Sequence, residues 1–99
     1  MQFLIIAFDG TDEHAPQRRL AQREHHLSGI EQLKKEGKAL FGAAQLNDKD
    51  EMIGSVLFVE FASEEELRDY LKQEPYVTGN VWQKIDVKPC KVASMFLER

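Results

Sequence analysis

Two stretches of the chain place apolar residues on both faces when extended. Residues Phe3 to Phe8 read Phe-Leu-Ile-Ile-Ala-Phe. So short a run fits a buried strand or a piece of buried helix, and the β-branched and aromatic content, with the turn signal Asp9-Gly10-Thr11 behind it, decides for strand. Ser55 to Phe61 reads Ser-Val-Leu-Phe-Val-Glu-Phe, with Val56 and Phe58 on one side and Leu57, Val59 and Phe61 on the other. Both strands are expected in the middle of a sheet.

The rest alternates between helical and extended periods. Ala15 to Glu36 reads as a helix: Pro16 suits a first turn, Lys34 and Lys35 suit the negative end of the dipole, and Gly37 can close it in a left-handed cap. Leu20, Leu27, Ile30 and Leu33 share one face at helical spacing. Ala39 to Leu46 reads as a strand interrupted by Gly42, a bulge or a close approach. A polar loop follows over Asn47 to Glu51. Ser63 and Glu66 form a capping box at the start of a second helix, each satisfying the other's backbone donor, with Leu67, Tyr70 and Leu71 inward. Pro75 ends that helix near Glu74. Tyr76 to Val81 reads as a loop or short turn with Gly79-Asn80, and Trp82 to Val92 as a last strand with Ile85 and Val87 on one side and Lys84, Asp86 and Lys88 on the other. Pro89 puts that strand at an edge.

The order strand, helix, strand, strand, helix, strand is that of an α+β ferredoxin-like βαββαβ antiparallel sheet with two helices on one face. Two helices cover one face only. The other would expose a patch of Phe, Leu, Ile and Val larger than monomers usually tolerate. A homodimer packed sheet face against sheet face, closing into a dimeric α/β barrel, is therefore expected.

Composition narrows the classes. The 99 residues carry 13 Lys+Arg and 17 Asp+Glu, a net charge of −4, which with no basic patch argues against a nucleic-acid partner. At 42% hydrophobic and 30% charged, the chain reads as one globular domain over 1–99. No apolar run approaches the roughly 18–20 residues of a membrane span, so no membrane partner is expected. The N-terminus lacks the basic region of a signal peptide. Cys90 is the single cysteine and can form no internal disulfide, which fits a cytoplasmic protein.

The first helix holds one inconsistency. At 3.6 residues per turn, Arg19, Arg23 and His26 fall on the stripe of Leu27, Ile30 and Leu33. Charge buried without a partner is costly. Either the arginines snorkel and His26 bonds a carbonyl, or these side chains wall a polar pocket suited to an anionic ligand. His25 lies on a more exposed part of the helix, and His14 precedes it with no special signal. Glu74-Pro75-Tyr76 is the second candidate: the proline forces the chain out of the helix and can aim Glu74 and Tyr76 inward, although a helix-terminal acid before a stop signal reads the same way. Asp9 is a turn residue or a pocket residue. Ser55, beside Gly54, opens a strand or donates into a cleft. Cys90 has only Lys88 and Lys91 to activate its thiol. There is no Ser-His-Asp pattern, no P-loop and no convincing metal set.

The segments Arg23-Glu24-His25-His26-Leu27, Gly54-Ser55-Val56 and Glu74-Pro75-Tyr76-Val77, with Asp9 at a strand end and Val87-Lys88-Pro89 near the last, resemble the YciI-like (YCII-related) family over nearly the whole chain. The resemblance implies dimeric barrels of ferredoxin-like subunits, a His–Asp pair in a pocket, and relatives acting on small aromatic compounds. It places His26 at the family histidine, Arg23 at a frequent arginine one turn earlier, and Glu74 at the aspartate of Asp-Pro-Tyr/Phe. Glutamate there is a departure that moves the carboxylate out by one methylene. The resemblance leads to the expectation of a small cytoplasmic enzyme doing cofactor-free isomerisation, elimination or hydrolysis on a small aromatic or anionic molecule. His26 would be its general acid/base, oriented by Glu74, and Arg23, Arg19, Ser55, Tyr76 and Asp9 would bind substrate. The alternatives are a non-catalytic dimeric module for a small ligand or protein partner and, by fold analogy, a cofactor-free monooxygenase.

Overall fold

The two doubly apolar segments form the two central strands. In the computed structural model, which describes residues 1–97, the elements are β1 (Gln2–Asp9), α1 (Ala15–Lys35), β2 (Ala39–Leu46), β3 (Met52–Glu60), α2 (Glu64–Gln73), α3 (Pro75–Thr78) and β4 (Trp82–Cys90). The sheet runs β2-β3-β1-β4 with every pair antiparallel. Pro89 thus sits on an edge strand, where its missing N–H interrupts no ladder on the outer side.

One face of the sheet carries the core. Phe3, Ile5 and Ala7 of β1 and Leu57 and Val59 of β3 pack with Phe61, with Leu67 and Leu71 of α2, and with Tyr76, Val81 and Trp82. Ile30 and Leu33 of α1 and Ile85 and Val87 of β4 rest against them. Complete burial of a side chain such as Phe3 or Leu67 contributes roughly 1.5–3 kcal/mol. The opposite face presents Leu4, Ile6, Val56 and Phe58, all half-buried, and exposed Phe8 and Phe41.

Local rules place most boundaries. Gly37 takes a positive φ of 77° after α1, and the Lys38 amide bonds back to the Leu33 carbonyl at 2.8 Å, the geometry of a left-handed helix end. A Cβ on Gly42 would meet Leu57 at 2.7 Å, so this glycine marks a close approach.

Three expectations need correction, and one open choice is settled. The Ser63 hydroxyl accepts from the Glu66 amide at 3.1 Å, but the Glu66 carboxylate turns to Lys38 Nζ at 3.0 Å, so only one half of the capping box forms. Of the loop and short turn expected after Glu74, residues 75–78 form a helical turn, because Pro75 fixes the first φ and Glu74 caps it. The third strand starts at Met52 and the last ends at Cys90. Finally, Leu20 and Leu27 face outward, 72% and 46% exposed. They stand roughly 80–100° around the helix from Arg19, and the inward stripe runs Ala15, Arg19, His26, then Ile30 and Leu33.

Candidate functional site

The polar half of the α1 stripe is buried, and each group on it has an acid or a hydroxyl opposite. Alternation along β1 puts Asp9 on the helix-bearing face with Phe3, Ile5 and Ala7, and alternation along β3 puts Ser55 there with Leu57 and Val59. Arg19 descends between them. Its Nη1 donates to both Asp9 oxygens at 3.0 Å, and its Nη2 donates to Ser55 Oγ at 3.1 Å. Arg19 Nε is buried with no hydrogen-bond partner among the described residues.

Trp82 completes this corner by a bulge. Phe8 pairs with Lys84 but Asp9 pairs with Trp82, leaving Gln83 unopposed. Strict alternation would put Trp82 on the same side as Lys84; the extra residue turns it to the helix face. There Nε1 donates to Ser55 Oγ at 3.1 Å. Gly54 allows β3 to lie against β1 here, since a Cβ on it would come within 2.3 Å of the Ala7 carbonyl oxygen.

Two turns further along α1, His26 Nδ1 lies 2.6 Å from Glu74 Oε1. Glu74 leaves α2 with φ −63° and ψ 125°, extended as the following proline requires. That exit points its carboxylate back under α1. Oε1 also accepts from the Tyr76 amide at 3.2 Å, and Oε2 accepts from the Tyr70 hydroxyl. Glu74 is thus held at three points while 2% exposed. The His26 ring stacks on Tyr76, centroids 3.9 Å apart and planes 9° from parallel, and meets Trp82 edge-on at 5.7 Å. The Arg19 guanidinium carbon lies 4.8 Å from the same Tyr76 ring. Tyr76 therefore joins the two clusters.

Electrostatics follow from burial. Desolvation pushes the Asp9 carboxyl above its ordinary value, although Arg19 and Arg18 pull it down. Burial raises the Tyr76 phenol, and burial together with the Glu74 charge raises Tyr70 well above the usual phenol range. Both phenols are neutral hydrogen-bond donors at physiological pH.

Asp9, Arg19, His26, Ser55, Glu74 and Tyr76 therefore come together as one buried network, while Arg23 does not join it. Arg23 is exposed and lines a groove of about 560 Å³ on the outer face of α1. Arg19 does not snorkel, and His26 bonds a carboxylate, not a carbonyl. Beneath α1 lie the stacked rings of His26 and Tyr76 and the Arg19–Asp9 ion pair. Asp9 also borders an open cavity of about 470 Å³ at the end of β1, with Phe8, Met52, Ile53 and Lys84. His25 is exposed, and Cys90 is half-buried. Among the described residues no three His, Cys, Asp or Glu side chains gather as a metal set. The dyad has the form of a positioned imidazole: a carboxylate on Nδ1, rings on its faces, and Nε2 with no hydrogen-bond partner among the described residues.

Two members of the network lay outside the sequence expectations. Tyr70 stands four residues before Glu74, a spacing that brings side chains together on a helix. A buried Trp82 needs a partner for its N–H, and Ser55 is the hydroxyl within reach.

Known proteins share this framework. Residues 1–91 match the sequence profile of a family described as YCII-related domain. An uncharacterized protein of Haemophilus influenzae is 32% identical over 97 residues, covering 92% of this chain and 97% of its own. Protein YciI of Escherichia coli O6:H1 matches with the same identity and coverage. A solved structure of 5-chloro-2-hydroxyhydroquinone dehydrochlorinase from Burkholderia phenoliruptrix, in complex with 2,5-dihydroxybenzoquinone, superposes with a TM-score of 0.81. It is 26% identical, over 96% of this chain and 98% of that one.

Proposed function

Because this chain belongs to the YCII-related domain family, we propose that it is a small cytoplasmic enzyme carrying out acid/base chemistry on a small hydroxylated aromatic molecule. The observation that carries this reading is the His26–Glu74 contact of 2.6 Å inside a buried ring stack. Glu74 accepts the Nδ1 proton, which leaves Nε2 with the lone pair and makes it the base. Nε2 takes a proton from a ring hydroxyl of the substrate. Glu74 stabilises the imidazolium so formed, and the positive charge of Arg19 favours the developing phenolate. The electron pair returns to a ring carbon, which takes the proton back from Nε2 to give the keto tautomer, an isomerisation. Where that carbon carries a leaving group, a second ring hydroxyl then gives its proton to Nε2 and its electron pair expels the leaving group as an anion, an elimination with net loss of one proton and one anion. These steps need only side chains of this chain. The similarity to a dehydrochlorinase in complex with a dihydroxybenzoquinone supports the choice of substrate class.

The open sheet face belongs to the same proposal. Phe8 and Phe41, 38% and 70% exposed, border a half-buried row of Leu4, Ile6, Val56 and Phe58. A second copy packed on this face would cover them and form the homodimeric barrel. Sedimentation should give a dimer or a multiple of it, and Phe58→Lys should dissociate that contact.

The test is chloride release from a chlorinated hydroxyhydroquinone, followed alongside binding of 2,5-dihydroxybenzoquinone by calorimetry. Wild type is expected to bind the quinone and to release one chloride and one proton per turnover. His26→Ala should lose release while keeping its melting temperature within a few degrees. Binding without turnover, unchanged by His26→Ala, would support a non-catalytic ligand-binding module instead.

A further inference from the structure

Ser55 Oγ receives two hydrogen bonds from groups that only donate. Arg19 Nη2 and Trp82 Nε1 each lie 3.1 Å from it, and neither guanidinium nor indole N–H has a lone pair to accept with. Ser55 therefore accepts twice. Its own hydroxyl hydrogen is left over, turned away from both donors, with no acceptor among the described residues although Ser55 is only 4% exposed. Arg19 Nε is a second donor of this kind, buried and unpaired among the described residues. The carboxylate of this corner, Asp9, has both oxygens on Nη1. Buried polar groups are rarely left unpaired, so two orphan donors on adjoining side chains call for an acceptor.

Trp82 sets this state. The bulge at Gln83 brings its indole to the helix face. Without the indole N–H, Ser55 would keep one lone pair free and its hydroxyl would turn between partners. With it, the hydroxyl is fixed as a donor. The same indole stands edge-on to His26 at 5.7 Å and to Tyr76 at 5.6 Å, so the corner and the dyad share one wall.

Charge selects the acceptor. Asp9 already offsets the guanidinium, so a free-standing anion gains little here. A quinone carbonyl, or a phenol oxygen that turns negative as a reaction proceeds, suits two fixed donors beside a neutralised guanidinium. A ring bearing oxygen on two carbons can set one oxygen at His26 Nε2 and the other in this corner.

We propose that Arg19 Nε and the Ser55 hydroxyl form a donor subsite for one carbonyl or phenolate oxygen of the ligand, with Trp82 as the positioning residue that fixes Ser55 as a donor. This subsite rests on the reading of the dyad as acting on a hydroxylated aromatic molecule, and it gives that molecule a second point of attachment.

Calorimetry with 2,5-dihydroxybenzoquinone tests this on the full chain in wild type, Ser55→Ala, Trp82→Phe and the double variant. Ser55→Ala should weaken binding roughly tenfold, the contribution of one hydrogen bond. Trp82→Phe keeps a ring in place and loses the N–H; it should weaken binding by nearly as much. The double variant should bind as Ser55→Ala does, because the indole N–H acts through Ser55. Two merely structural losses would multiply instead. Nitrogen-15 shifts of the His26 ring should match wild type in all three, which shows the dyad intact. Ser55→Cys, of similar shape with a weak donor, serves where Ser55→Ala does not melt cooperatively. For Trp82, a second measurement needs no substitution of it: the chain has one tryptophan and so one indole N–H resonance. That resonance should move downfield when the quinone binds wild type, as Ser55 becomes a donor in a longer chain of bonds, and should not do so in Ser55→Ala or Ser55→Cys. Quinone binding that is insensitive to loss of the Ser55 hydroxyl, or single losses that multiply in the double variant, overturns the subsite and leaves the dyad reading standing. Absence of quinone binding by wild type overturns both. The expected pattern of binding without turnover supports the subsite and overturns the dyad chemistry alone.

Discussion

His26 Nδ1 lies 2.6 Å from Glu74 Oε1, and both side chains are buried under α1. The contact joins residues 48 apart in sequence and commits one ring nitrogen to a carboxylate while leaving the other for chemistry. Glu74 reaches it from the corner between α2 and α3, so the carboxylate moved out by one methylene spans that distance while accepting from the Tyr70 hydroxyl and the Tyr76 amide.

Glu74→Gln keeps the shape and removes the charge. Activity on the hydroxylated aromatic substrate should fall about a hundredfold to ten-thousandfold, the range of a positioned acid/base contribution. Stopped-flow kinetics on a variant that still melts cooperatively is the check; a loss of only a few fold would mean that the carboxylate is structural.

Tyr70→Phe removes the donor to Glu74 Oε2 and leaves a buried carboxylate oxygen short of a partner. The expected cost is about 1–3 kcal/mol of stability by urea denaturation. The rate should fall less than in Glu74→Gln, because Oε1 keeps both His26 and the Tyr76 amide.

Arg19→Met leaves Asp9 buried and unpaired and should cost about 3–5 kcal/mol, while Arg19→Met with Asp9→Leu should cost less than the single change. The sign with pH is fixed. Desolvation already holds the folded Asp9 carboxyl above its ordinary 3.8, and removing Arg19 raises it further. The folded variant takes up this proton before the unfolded chain does. Its deficit against wild type is therefore largest at neutral pH and shrinks as the pH falls through the raised value. Denaturation midpoints at several pH values check this; a deficit that grows on acidification would contradict it.

The two tyrosines give the opposite end of the scale. Both phenols are held above 10.0 in the fold, chiefly by burial. The unfolded chain releases these protons first as pH climbs past that value, so this part of the stability is complete below it and is lost above it. Ultraviolet difference spectra should show little phenolate in the folded protein at pH values where the denatured protein has ionised.

Much of the fold was legible because its signals are local. Doubly apolar runs mark β1 and β3 as central, Gly37 ends α1, and Ser63 starts α2. The site was legible where a polar residue interrupts an inward stripe, as Arg19 and His26 do, or where Pro75 forces an exit, as at Glu74. Trp82 was hidden because the Gln83 bulge breaks the period of two on which strand reading depends. Tyr70 was hidden because an aromatic at an inward helical position reads as core, and its hydroxyl acquires a role only through a carboxylate one turn later. Leu20 and Leu27 misled for the complementary reason: leucine is taken as a core residue, yet charged groups with buried partners held the inward stripe.

On the proposed chemistry, Glu74 fixes the His26 proton on Nδ1 and leaves Nε2 as the base. Nitrogen-15 shifts of the His26 ring at neutral pH report this directly. A protonated Nδ1 and a bare Nε2 are expected, with loss of that preference in Glu74→Gln. A proton resident on Nε2, or a ring indifferent to Glu74→Gln, would contradict it.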